Sequence, residues 1–131
     1  MAEPLTLDLL EGEWSIARLP AAEPVPDWAW SETFSSVSRT SEELSIISPS
    51  SQVPSSVKSE AGFRVLAVRG PLAFDAKGIL ADLAGAIAEA DVALLALSTF
   101  NTDILLVRQQ DLAAAAAALE SRGHQIEAEL K

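Results

Sequence analysis

Residues 92–97 (Val-Ala-Leu-Leu-Ala-Leu) and 104–107 (Ile-Leu-Leu-Val) are two apolar runs flanking a polar turn, Ser98-Thr99-Phe100-Asn101-Thr102-Asp103. Each run is too short for an independent helix and lies between helical patterns, so the pair predicts two strands joined as a hairpin. Upstream, over residues 76–90, Ile79, Leu80, Leu83, Ala84 and Ile87 fall at helical spacing with Lys77, Asp82 and Glu89 off the stripe. Asp75 stands where an N-cap belongs. Downstream, Asp111 precedes a helix whose stripe is Leu112, Ala115, Ala116 and Leu119, and Gly123 is its C-terminal stop. An apolar strand over 63–69, ended by Gly70-Pro71, opens this half, and a short strand from His124 to Ile126 closes it. The order is strand, helix, strand, strand, helix, strand.

The first half is a weaker version of the same pattern. Residues 5–10 and 13–19 alternate as half-buried strands do, and Pro20 ends the second because proline cannot donate to a ladder. Pro26 begins at most a single helical turn, with Trp28 and Trp30 expected as packing lids. Residues 33–38 and 44–48 read as strands around the polar turn 39–43. The serine-rich stretch 50–60 reads as a loop with at most a short helix near residues 55–58. Gly12 to Pro20 matches Gly62 to Pro71, and the strand–turn–strand at 36–48 matches that at 97–108. Glu43 and Asp103 each precede an apolar return strand. The spacing implies an internal repeat of roughly sixty residues, with the helices of the first copy reduced. The expected domains are 1–60 and 61–131.

Composition narrows the function classes. Nineteen acidic and nine basic residues give a formal charge of −10, which argues against nucleic acid, whose binding rests on Lys and Arg. With no cysteine, disulfides, thiolate nucleophiles and Cys-based metal sites are excluded. The first ten residues lack a signal peptide's basic start and apolar core. No run approaches the ~18 apolar residues of a membrane span. The expectation is a cytoplasmic protein without a membrane segment.

The double βαββαβ order resembles the ACT-domain superfamily. Residues 97–107 are similar to the Ile-Ser-Thr-Phe-x-Thr-Asp-x-Leu-Val signature of a branch containing small bacterial tandem ACT-like proteins and, more distantly, the cytosolic arginine sensor of animals. Gly70-Pro71-Leu72-Ala73-Phe74, Gly78-Ile79-Leu80 and Leu44-Ser45-Ile46-Ile47 also fit that branch. The resemblance implies an α+β fold of two ferredoxin-like ACT-type units, with antiparallel sheets and helices on one face. It also implies amino-acid binding at interfaces between ACT units. Carried over by position, the ligand-binding residues are Phe74, Asp75, Gly78 and Ile79 from the loop and helix start. From the hairpin they are Ser98, Thr99, Phe100 and Asp103.

Each of these residues has a structural reading beside the functional one. Asp103 can hold an ammonium group through a charge-assisted hydrogen bond, or bond the amides of its own turn. Phe100 can cover a ligand or lie as a lid on the core, and the hydroxyls of Ser98, Thr99 and Thr102 can serve either. Asp75 is expected to cap the helix. Gly78, one turn into that helix, costs about 1 kcal/mol relative to alanine, which suggests close backbone approach. His124, the only histidine, reads as a surface or strand-edge residue. The alanine-rich run 113–118 suits close helix packing between units or protomers.

No catalytic motif, phosphate loop or metal spacing is present, so neither an enzyme nor a cofactor is expected. The leading expectation is a homodimeric regulatory protein binding an amino acid or similar zwitterion. The alternative is a protein-interaction module of ACT fold with a decayed ligand site.

Overall fold

The computed structural model describes residues 4–73 and 77–128, so Phe74 and Asp75 lie outside the described residues. The chain divides into two compact units, one formed by residues 1–11 with 64–131 and the other by residues 12–63. The division at residue 60 expected from the sequence assigns the first eleven residues to the other unit.

The pairing of the N-terminal strand explains the difference. In the larger unit the strands are β1 (Thr6–Leu9), the last part of β5 (Ser59–Val68), β6 (Leu95–Ser98), β7 (Asp103–Arg108) and β8 (Gln125–Ala128). Their spatial order is β6-β7-β5-β1-β8. β1 runs antiparallel to β5, with Leu7 opposite Val68, and parallel to β8, with Leu7 opposite Ile126. The sheet is therefore mixed, not purely antiparallel as expected. Leu7 is wholly buried, and an isolated edge could not bury it so.

Helices α1 (Ile79–Glu89) and α2 (Leu112–Ser121) supply the other half of this core. Leu83, Ala86 and Ile87 of α1 and Ala115 and Leu119 of α2 pack with Leu66, Val68, Leu105 and Val107 of the sheet. Of the stripes read from the sequence, Leu83, Ile87, Ala115 and Leu119 are buried and Ile79, Leu80 and Leu112 pack partly buried against this core, whereas buried Ala86 lay off the stripe. The alanines of α2 let α1 approach within this same unit. Gly123 adopts φ +92° and donates to the Glu120 carbonyl at 2.9 Å, stopping α2 as a left-handed C′ residue does. Asp111 occupies the cap position of α2 but makes no side-chain capping bond, because residues 109–111 already form a 3-10 turn.

The smaller unit is antiparallel, in the order β3 (Ser36–Arg39), β4 (Leu44–Pro49), β2 (Trp14–Leu19) and the first part of β5. Two 3-10 turns, Asp27–Ala29 and Ser50–Gln52, are its helical elements among the described residues. Its core is small: Ala17, Ala29, Leu44 and Ile46, with Trp28 packed against them. Trp28 is the lid the sequence suggested. Trp30 is not, being 58% exposed; its carbonyl, with that of Trp28, accepts from the Gln52 side chain, which fixes the backbone and leaves the ring outside. The expected loop at 50–60 is shorter than read, since β5 starts at Ser59.

Candidate functional site

The larger unit carries a cleft of about 320 Å³ lined by three short segments, Leu72 with Ala73, Gly78 to Ala81, and Ser98 to Asp103. Each segment owes its place to local chemistry. Gly70 is followed by a sharp departure from β5, and a Cβ there would come to 2.9 Å from the Asn101 carbonyl oxygen. Only glycine admits that approach. The Leu72 N–H then donates to the same carbonyl at 2.7 Å, and the Thr102 hydroxyl donates to the Val68 carbonyl. The segment after β5 and the hairpin turn are thereby one wall.

Within the turn, the Thr99 N–H donates to the Thr102 carbonyl at 2.7 Å. The Thr102 N–H donates back to the Thr99 hydroxyl at 3.2 Å. Ser98 and Asp103 close the ladder as a register pair, and the Ser98 hydroxyl donates to Asp103 Oδ1 at 2.6 Å. Asp103 is thus held by a side chain of its own hairpin, and its carboxylate keeps further lone pairs. Phe100 is 82% exposed. It stands at the rim of the cleft, and the lid-on-the-core reading of this ring is overturned.

The opposite wall is the start of α1. The helix begins at Ile79, not near Ala76, and Gly78 is its N-cap with φ +80°. The glycine is needed for a left-handed conformation that L-residues resist, instead of sitting inside the helix. The expectation that Asp75 provides the cap concerns a residue outside the described ones; the cap position itself belongs to Gly78, which has no side chain to bond the first amides. The N–H groups at the start of a helix lack intrahelical acceptors, and the residues that bear them, Ile79 to Ala81, line the cleft.

Gly78, Ile79, Ser98, Thr99, Phe100 and Asp103 therefore meet around one cleft. Leu72, Ala73, Leu80, Ala81, Asn101 and Thr102 join them. Asn101 and Thr102 were legible from membership of the same turn, whereas Leu72 and Ala73 needed the strap between Leu72 and Asn101. Among the described residues, Asp103 is the one ionisable residue in the lining. Among the described residues, no group of three His, Cys, Asp or Glu side chains could hold a metal. No helix among them is long and apolar enough to cross a membrane.

Behind the first turn of α1 lies a second polar cluster. Asp82 Oδ2 is 2.8 Å from His124 Nε2, and Asp82 Oδ1 accepts from Arg122 Nη1 at 2.8 Å. Arg122 Nη2 also donates to Glu89 at 2.7 Å. The His124 bond, then the Arg122 bond, hold the Asp82 carboxyl below its ordinary value, while Glu89 and Asp82 raise Arg122. His124 is 3% exposed, so the surface reading of this residue is wrong. The turn at Gly123 folds Arg122 and His124 back onto α1, a long-range placement that no local pattern reveals.

A family model described as the ACT domain matches residues 58–121, and a model of an N-terminal domain matches residues 12–56. No curated protein matches the chain. Among solved structures, protein Atu0741 from Agobacterium tumefaciens is 35% identical, with a TM-score of 0.92 over 99% of this chain and 97% of that chain. A protein of unknown function from Vibrio cholerae aligns at 17% identity and a TM-score of 0.73, over 89% of this chain and 88% of that one. E. coli aspartokinase III aligns at 12% identity and a TM-score of 0.64, over 91% of this chain but 33% of the enzyme. That last likeness is one of fold. The chain contains an ACT domain related to those of aspartokinase-type enzymes and belongs to the family of the Agobacterium tumefaciens protein.

Proposed function

We propose that this protein is a non-catalytic regulatory module that binds an amino acid or similar zwitterion in the cleft. The observation that carries the reading is the pairing of opposite polarities across it. One wall is a helix start whose N-cap, Gly78, has no capping side chain, suited to a carboxylate; the other bears Asp103, suited to an ammonium group. The volume, about 320 Å³, lies at the small end of ligand pockets. Gly78, Ile79, Ser98, Thr99, Phe100 and Asp103 would contact the ligand, with Phe74 and Asp75 joining from the intervening segment. The family resemblance supports the assignment, because amino-acid ligands of ACT units sit against a helix start and a hairpin. It further implies a tandem ACT arrangement, a homodimer and a cytoplasmic protein; light scattering at two concentrations tests the dimer.

A thermal-shift series with each of the twenty amino acids at millimolar concentration tests the binding, since a ligand specific to the folded state raises apparent stability. A melt unmoved by all twenty would remove the reading. With a hit in hand, Asp103→Asn keeps an acceptor for Ser98 and removes the charge. The expected loss of affinity is about 10- to 100-fold.

A second reading draws on the exposure of Phe100 and Trp30, 82% and 58%. It takes the protein as an interaction module whose ligand site has decayed. Co-purified partners that bind equally to an Asp103→Ala variant would favour it.

A further inference from the structure

His124 is the chain's one histidine, and both of its ring nitrogens are committed. Nδ1 accepts the backbone N–H of Leu5 at 3.1 Å, and Nε2 faces Asp82 Oδ2 at 2.8 Å. A carboxylate only accepts and a backbone amide only donates. The partners therefore assign the ring a proton on Nε2 and a lone pair on Nδ1, the neutral tautomer. A second proton has one place to go, Nδ1, where it would point at the Leu5 N–H. Two donors cannot bond.

What Leu5 holds is the start of β1. Its carbonyl accepts from the Gln125 N–H at 2.8 Å, and one residue later begins the strand that separates β5 from β8. The charged groups around the ring decide which of its two bonds survives protonation. From α1 come Asp82 and, beyond it, Glu89, and from the end of α2 comes Arg122, bonded to both. From the residue before β1 comes the uncharged Leu5 amide, while Asp8 of β1 and Glu127 of β8 are paired with Arg69. Asp82 attracts an imidazolium and keeps its bond to Nε2, although Arg122 shares the carboxylate. The Leu5 bond has no such compensation.

We propose that His124 is a proton-operated latch on the N-terminal strand, closed onto Leu5 when the ring is neutral and opened on that side alone when Nδ1 is protonated. None of His124, Leu5 and Asp82 lines the cleft. The latch gives the protein an acid-sensitive element at β1 while the helices and the hairpin stay in place.

The full-length protein with ¹⁵N-labelled histidine tests the latch. Its single ring reports both tautomer and titration, and hydrogen exchange reports the Leu5 amide, corrected for the intrinsic pH dependence of exchange. The expected result is the Nε2–H tautomer at neutral pH. Exchange at Leu5 should then accelerate about tenfold along the ring's own titration, while interior amides of α2 keep their protection. In His124→Gln, which takes no second proton, that step should vanish. An Nδ1–H tautomer, a Leu5 amide indifferent to the titration, or a step that persists in His124→Gln would each overturn the proposal. If His124→Gln does not fold, the titration of the unaltered protein decides alone.

Discussion

The hairpin β3–β4 and the hairpin β6–β7 share one turn and differ in the pair that closes it. In both, a threonine heads four turn residues. Thr40 N–H donates to the Glu43 carbonyl at 2.9 Å, as Thr99 N–H does to Thr102 at 2.7 Å. The Thr40 hydroxyl accepts from the amides of Glu42 and Glu43, and the Thr99 hydroxyl accepts from that of Thr102. The closing pairs are Arg39 with Leu44 and Ser98 with Asp103. By this alignment the counterpart of Asp103 is the wholly buried Leu44, one position beyond the Glu43 suggested by the sequence match. The turn chemistry is thus structural in both hairpins. The closing pair separates a core position from a cleft position.

Exchanging the closing residues gives the largest expected effect. Leu44→Asp places an unpaired carboxylate in the small core and should cost the protein about 3 kcal/mol or more. Asp103→Leu, at a half-buried position, should change stability by under about 1 kcal/mol. Urea denaturation of both variants measures the contrast, and equal costs would break the distinction. Gly70→Ala comes next, since the Asn101 carbonyl must retreat from the new methyl group. About 2 kcal/mol is expected from such crowding, with no equivalent in the β3–β4 hairpin.

The shared turn predicts matched, smaller effects. Thr40→Val and Thr99→Val each remove the hydroxyl that heads the turn, at a cost of about 1 kcal/mol apiece. A cost found at only one of the two would show that the turns are not equivalent. Acid stability offers a finer contrast, because Asp82 belongs to the unit that bears the cleft. Its carboxyl is held below the ordinary value, so its contribution is complete above the unfolded pKa of about 3.9. That contribution is lost as pH falls through the lower folded value. Asp82→Asn should flatten the most acidic limb of the stability–pH curve. The smallest effect is a gain: Asp91, just past α1, has φ 62°, and Asp91→Gly should stabilise by about 0.5 kcal/mol by relieving the left-handed backbone. An unchanged melting temperature would show that the aspartate tolerates this conformation at no cost.

Much of the cleft was legible because its parts are local. Gly78 and Ile79 stand out at a helix start, and Ser98 to Asp103 form a turn whose residue types have few other uses. The strap between Leu72 and Asn101 was not legible, because Leu72 in sequence is an ordinary apolar residue. Trp30 and His124 were misread for a common reason. Aromatic residues are usually buried and a lone histidine beside a glycine is usually not, but in each case a partner far along the chain decided. Gln52 holds the backbone at Trp30, and Asp82 lies 42 residues before His124.

The sequence by itself determined the element order, the helix stripes and the two hairpins, because apolar periodicity and glycine punctuation act within a few residues. Only the tertiary structure decided which unit owns the first strand. β1 satisfies its backbone against residues 66–68 and 125–128. Pairing over such separations depends on which edge is open once the helices have docked, and the four residues of β1 carry no mark of it. The burial of His124 follows from the same event, since the strand that arrives brings the amide that fills Nδ1.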